Sequence, residues 1–418
     1  MRGFAVEAFG SSWWFDTTRI DENVAAELAR LWSRAAARAG TAEAASGETG
    51  TAEAARGETD RIVFTVHPWG SSPVQEPDRD VADYAILPQD ADQAPYAVSR
   101  AFTVAAIRRH AGRALMFHAV GMAGSTGAVV ALVGRSGTGK TTAATRLGRH
   151  LGYVTDETVV AEPAGLVVQP YPKPLSIITD PQRPAEKSEH SPDELELREA
   201  PGPLRLRTVV VLVRDPAAPA PTLEPIGVIE ATLAVLPETS SLPLLPGALG
   251  VLARALTGHG GPYRLTYAEI DDCLDIIAGL SEPHPDRDGT APEWLHVRGT
   301  PAEPGPDAVP DRLLPAQDVT GGEVRPSVDW ESRLVRGAFD DGLISDGEAV
   351  LLRGYEPIHL SGLGALLWMH AQTPITVGQL HKLAVDTLGD YPDSQLLVRE
   401  AAQSLLALSV LVLAPEDG

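Results

Sequence analysis

The sequence predicts an α/β protein: a phosphate-loop core with an N-terminal α/β extension, followed by a smaller C-terminal module. Three observations predict it. Short β-rich runs alternate with helical stretches from about Arg61 to Leu280. A glycine-rich loop, GRSGTGKT from Gly134 to Thr141, stands between an apolar run and a helical stretch. A proline-rich segment then loses all periodicity, and a second compact pattern follows it.

The elements follow in chain order. Asp21 to Arg38 reads as an amphipathic helix with Val24, Leu28, Leu31 and Trp32 on one face. Residues 40–59 are a tandem decapeptide, GTAEAASGET then GTAEAARGET, differing only at Ser46 and Arg56. Two copies are too few for a solenoid. Their small and charged residues cannot bury a core, so a disordered insertion is expected. RIVFTV, GAVVALV, GLVVQ and TVVVLV are strand candidates; VSRAFTVAAIRRHAG, TTAATRLGRHLG, PGALGVLARALTG and YAEIDDCLDIIAGL are helix candidates. The resulting division is an extension over 1–108, a phosphate-loop domain over 109–280, a stiff extended linker over 281–335 and a module over 336–418. In that module FDDGLIS and EAVLLRG read as strands joined by a turn at Asp346-Gly347, PIHL as a third strand, and three helices follow. Ser361 and Thr376 are expected N-caps.

Bulk properties narrow the function. The 418 residues carry 34 basic and 56 acidic side chains, a net charge of −22, which excludes a general nucleic-acid binder needing a basic face. The single cysteine, Cys273, builds neither a disulfide nor a cysteine zinc site. No cationic and apolar leader opens the chain, and no apolar run approaches the roughly 18 residues that span a bilayer. A cytoplasmic protein without membrane contact is expected; a homo-oligomer is compatible with the sequence.

The loop fits the Walker A pattern in full, with the run Ala128–Val133 entering and a helix leaving at Lys140. Backbone N–H groups from Gly134, Ser136, Gly137, Thr138 and Gly139, together with the helix N-terminus at Lys140, Thr141 and Thr142, would cradle the phosphates of ATP. Lys140 would reach the β- and γ-phosphates, and the Thr141 hydroxyl would bind Mg²⁺. An acidic pair, Asp156-Glu157, follows after one helix and a short segment, Gly152 to Thr155, that reads as a strand. A carboxylate there can hold Mg²⁺ or accept a proton from an attacking hydroxyl. Asp215, after Val209–Val213, is the rival Walker B acid; Pro216 follows it, and a loop role explains it. An LSGGQ-like signature is missing, which disfavours a mechanical ATPase.

FHAVGMAGSTGAVVALVGRSGTGKTT and GYVTDETVV resemble the catalytic domain of the HPr kinase/phosphorylase family, whose acidic pair lies close behind the loop. The resemblance covers roughly residues 110–280 and implies a P-loop kinase fold that uses ATP and Mg²⁺. It assigns His118 to the histidine one strand before the loop, Asp156 to the proton acceptor and Glu157 to a metal or water contact. Glu157 stands where that family usually has Asp, and the family's N-terminal domain and HPr signature are not found. The chain is more similar to a divergent group found with peptide-modification systems. YPKPLSI (171–177) and YRLTY (263–267) resemble that group's later blocks, which makes Lys173 and Arg264 candidate phosphate contacts.

The stretch from about 337 to 414, with Leu360-Ser361 and Gly364 to Trp368, is similar to the PqqD family of small winged-helix domains. That resemblance implies binding of the leader segment of a ribosomally made precursor peptide by β-augmentation. The groove would lie between Pro357, Ile358, His359, Leu360 and the helix from Ser394 to Leu408. From Gly337 onward about 11 acidic residues face 3 basic ones, which favours a basic leader. Trp368 and the leucines Leu405, Leu406 and Leu408 are expected mostly in the core. Together the two resemblances imply an ATP-dependent kinase for a Ser or Thr hydroxyl of a captured precursor peptide. The alternative is a nucleotide-binding scaffold that presents the peptide to another enzyme.

Overall fold

The computed structural model describes residues 2–36, 61–71, 83–178, 182–183, 186–282, 292–300 and 328–415. The tandem decapeptide and most of the proline-rich segment lie outside the described residues. The chain forms two compact units, residues 1–246 with 254–292, and residues 247–253 with 293–418.

In the first unit the β-branched runs build a nine-stranded sheet. Its main path runs Arg198–Glu199, Gly152–Thr155, Leu115–Ala123, Ala128–Val133, Arg205–Arg214, Tyr263–Tyr267, Thr222–Pro225. Ala128–Val133 is parallel to Arg205–Arg214, which is parallel to Tyr263–Tyr267. Ala128–Val133 and Arg205–Arg214 are apolar at their centres because both faces are covered. Leu115–Ala123 runs antiparallel to Ala128–Val133 and, on its other edge, to Gly152–Thr155 and Thr158–Ala161, two successive stretches in one continuous register. The sheet is therefore mixed. The strand expected after the loop helix exists, and beyond a bend at residues 156–157 it continues in the same direction as Thr158–Ala161.

The N-terminal residues form a four-stranded sheet ordered Gly3–Ala8, Ser11–Asp16, Ile62–His67, Tyr84–Ile86. The helix expected from Asp21 to Arg38 spans Glu22–Leu31, because Asp21 caps it through the N–H groups of Asn23 and Val24 and a 3₁₀ turn, Ser33–Ala35, succeeds it. Phe102, on the helix Ala94–His110, stands edge-on to Trp13, Phe15, Trp32 and Phe64 at centroid distances of 4.8 to 5.3 Å. Met116, Val160 and Tyr171 of the phosphate-loop region join this same cluster. The extension thus shares its core with the phosphate-loop region. That packing fixes the helix Ala94–His110, whose other face supplies Tyr96, Ser99 and Arg100 to the cavity described below.

The second unit holds a four-stranded antiparallel sheet ordered Leu295–Arg298, Asp341–Ser345, Glu348–Arg353, Glu356–Leu360. Asp346 and Gly347 take positive φ values of 50° and 76°, as a two-residue hairpin turn of the right twist requires. The helices are Gly362–His370, Val377–Leu388 and Ser394–Ala407. Thr376 closes a full capping box with Gln379, whereas Ser361 makes no side-chain cap bond. The stretch read as a linker departs from expectation at Leu295–Arg298, which adds an edge strand beside Asp341–Ile344, and at Arg333–Arg336, which pairs with Ile375–Thr376 and Leu411–Leu413. LHVR and RLVR are short alternating runs, and the surrounding prolines concealed them.

Candidate functional site

The loop begins where Ala128–Val133 ends. Gly137 and Gly139 have φ of 88° and 92°, a conformation that disfavours side chains, and a Cβ on either would meet no atom within 4 Å. Both glycines and the start of the helix Lys140–Leu147 border a cavity of about 820 Å³. At Gly134 a Cβ would lie 2.8 Å from Thr138 Oγ1 and 3.2 Å from Leu212, so this position tolerates only glycine. The loop is pinned from the next strand but one by Tyr267, whose hydroxyl donates to the Thr138 carbonyl at 2.9 Å. The residues present fit a polyphosphate: an open cradle of amides, a helix N-terminus and the Lys140 ammonium.

Asp156 and Glu157 occupy the bend that interrupts the strand between Gly152–Thr155 and Thr158–Ala161, and both line the same cavity. Asp156 is 6% exposed. It accepts from the Tyr153 hydroxyl at 3.0 Å and lies 3.3 Å from Lys173 Nζ, which also stands 3.2 Å from Glu157 and donates to the Pro174 carbonyl at 2.8 Å. Burial raises the Asp156 carboxyl above its ordinary range, and Lys173 opposes that shift. Burial also works against the Lys173 ammonium, yet Asp156, Glu157 and Glu189 together push its pKa well above the usual lysine value. Glu189 is itself held by the hydroxyls of Ser99, at 3.1 Å, and Ser176.

His118 reaches this place because its strand pairs it with Thr158, and the next amide, Ala119 N–H, donates to the Glu157 carbonyl at 3.1 Å. Its Nδ1 lies 3.3 Å from Glu238, and the same carboxylate oxygen is 3.8 Å from Lys140 Nζ. Lys140 also donates to the Gly134 carbonyl. Burial lowers the His118 pKa, Lys140 adds to that, and Glu238 works the other way. Burial likewise lowers Lys140, with Glu238 opposing.

Of the residues expected from sequence, the cavity is lined by His118, Ser136, Gly137, Gly139, Lys140, Thr141, Thr142, Asp156, Glu157 and Lys173. Lys173, expected to touch phosphate, has its ammonium turned onto carboxylates. Arg264 pairs with Glu230. Strand alternation explains this: Tyr263, Leu265 and Tyr267 share the buried face, and Arg264 points the other way. The block is tied to the loop through Tyr267. Asp215 is exposed and accepts from Ala217 N–H at 2.9 Å, a local turn contact. In the second unit Pro357 and His359 are exposed, His359 pairing with Glu348 at 2.7 Å, Ile358 is half-buried, and Leu360 is a core residue at 5% exposure. Trp368 is buried beneath the Arg336 guanidinium, 3.8 Å from the ring centre; Leu405 is buried and Leu408 is 53% exposed.

Glu238 and Glu189 escaped the sequence reading. Glu238 ends a 3₁₀ turn, Leu236–Glu238, in an unremarkable Leu-Pro-Glu-Thr context, about a hundred residues after the loop. Nothing local marks it; the only signal is a lone acid directly after an apolar helix. For Mg²⁺, the Thr141 hydroxyl and Glu157 are oxygen donors of the right kind. No group of three or more His, Cys, Asp or Glu side chains among the described residues forms a protein-only metal site, and a cation shared with phosphate oxygens needs none.

No family model matches the chain, and no curated protein matches it. Among solved structures it is similar to the HPr(Ser) kinase/phosphatase from Coxiella burnetii, at 13% identity and a TM-score of 0.20, over 40% of this chain and 92% of that one. The α/β character described above therefore rests on the chain's own strands and helices. No helix among the described residues is long and apolar enough to cross a membrane.

Proposed function

We propose that this chain is an ATP-dependent kinase that phosphorylates a Ser or Thr hydroxyl of a ribosomally made precursor peptide, held by a PqqD-like, winged-helix C-terminal unit. The observation that carries the reading is that Asp156 borders the same cavity as the glycine loop and Lys140. In this mechanism the acceptor oxygen attacks the γ-phosphorus, a new O–P bond forms, and the bond to the ADP oxygen breaks. Asp156 takes the hydroxyl proton, and its raised pKa suits it to that role. Lys140 and the loop amides neutralise charge on the transferring group. Mg²⁺, held by Thr141 and Glu157, would supply further charge neutralisation. The resemblance to PqqD domains supports peptide capture at the Glu356–Leu360 edge strand, through its main chain and the exposed side chains of Pro357 and His359.

The test is mass spectrometry of a candidate precursor peptide incubated with the full chain, ATP and Mg²⁺. A gain of one phosphate group supports the kinase. A second reading, a nucleotide-binding scaffold that presents the peptide to another enzyme, is favoured by the tight engagement of Asp156 with Lys173 and Tyr153. It predicts peptide binding with no mass change and no effect of Asp156→Asn.

A further inference from the structure

We propose that the cavity selects acceptor peptides carrying acidic side chains about three to four residues from the hydroxyl. The proposal rests on the kinase reading and adds the substrate class.

The cavity extends well beyond the loop. The hairpin Leu175–Ile178 and Lys187–His190 packs with its first strand on the loop helix and with its second on Ala94–His110. Away from the loop these three elements present Arg146, Arg100 and Lys187 to the cavity, and the turn after the loop helix adds Arg149. The carboxylates on its lining are Asp156 and Glu157, and Lys173 engages both. Among the described residues, Arg146, Arg149 and Lys187 have weak or non-acidic contacts. Arg146 lies 3.9 Å from Asp271, with both side chains more than half exposed. Arg149 Nε donates to the Leu195 carbonyl at 3.4 Å, and Lys187 sits 5.2 Å over the ring of Tyr96. A chain with 34 basic and 56 acidic residues gathers a net positive mouth here, against its overall sign.

Spacing sets the register. Arg146 lies six residues along the helix from Lys140, about 9 Å by helical rise, with Arg149 further on. An extended peptide covers that in roughly three residues at about 3.3 Å each. Nucleotide phosphates bound at the loop would leave these cations free, and an adenosine offers them no charge. An acidic peptide segment satisfies them.

The experiment uses the full chain and three labelled serine peptides, bearing aspartate, asparagine or lysine at the third and fourth positions on each side of the serine. Binding is read by fluorescence anisotropy with a non-hydrolysable ATP analogue present, and transfer by mass spectrometry with ATP. The aspartate peptide is expected to bind about tenfold tighter than the asparagine one at low salt, with the gap closing as salt screens it. Arg100→Glu with Lys187→Glu is expected to reverse the order in favour of the lysine peptide, and ATP affinity in that variant reports whether the loop has kept its fold. Equal binding of all three, no reversal, a fall in ATP affinity as large as that in peptide affinity, or equally tight binding of a single-stranded oligonucleotide would each overturn the proposal. Charge-selective binding with no transfer to any peptide sinks the kinase reading and leaves the selectivity. Equal transfer to all three does the opposite.

Discussion

Two lysines border the same cavity with opposite electrostatics. Lys173 is 2% exposed and faces Asp156, Glu157 and, further off, Glu189; Lys140 is 8% exposed and faces Glu238. Burial penalises both ammonium groups. With several carboxylates the penalty is more than offset and the pKa rises; with one it is not, and the pKa falls. Lys173 is thus a fixed internal counter-charge that holds the acidic pair, and Lys140 is a cation in want of a better partner. A triphosphate is such a partner.

This contrast can be broken in four ways. Asp156→Asn is expected to cost about 10²–10⁴ in phosphate transfer, as loss of a general base does, while ATP affinity measured by calorimetry holds. A variant with wild-type turnover would remove Asp156 from the chemistry. Lys173→Met strands buried carboxylates and should cost about 3–5 kcal/mol of stability, read from urea unfolding. Lys140→Met should cost markedly less, since Glu238 keeps His118 beside it; equal losses would erase the distinction between the two lysines. Glu238→Gln removes the carboxylate that competes with phosphate for Lys140, so ATP affinity should rise by about 1 kcal/mol while turnover falls. A fall in both would make Glu238 a binding group instead.

The smallest effect concerns protons. With its pKa lowered by burial, His118 should titrate in an NMR experiment below the ordinary histidine value of about 6.5. Glu238→Gln should move it lower still, because Glu238 favours the imidazolium. A depressed folded-state pKa contributes stability that is present above the unfolded value and lost as pH falls through the folded one. Wild type should therefore lose more stability than His118→Gln on acidification below about pH 6.5.

Much of the site was legible because its signals are local. The loop glycines, Lys140 and Thr141 must be consecutive, since one strand–turn–helix supplies every amide. Asp156 was legible by its short distance behind that helix. The C-terminal strands were legible by alternation and the Asp-Gly turn. What the sequence hid were partners brought from far along the chain. Tyr267 instead of Arg264 reaches the loop because strand parity decides which side chain faces it. Lys173 was read as a phosphate contact because its charge is visible and its burial is not.

The sequence by itself determined the α/β class, the phosphate loop and the acidic pair, because backbone conformation and periodicity are set by neighbours in the chain. Only the tertiary structure decided the proton and charge balance of the cavity: Glu238 on Lys140, three acids around Lys173, and four cations at the mouth. The reason is physical. A charge's effect depends on its burial and on what lies within a few ångströms, and folding chooses both from residues that the linear order keeps far apart.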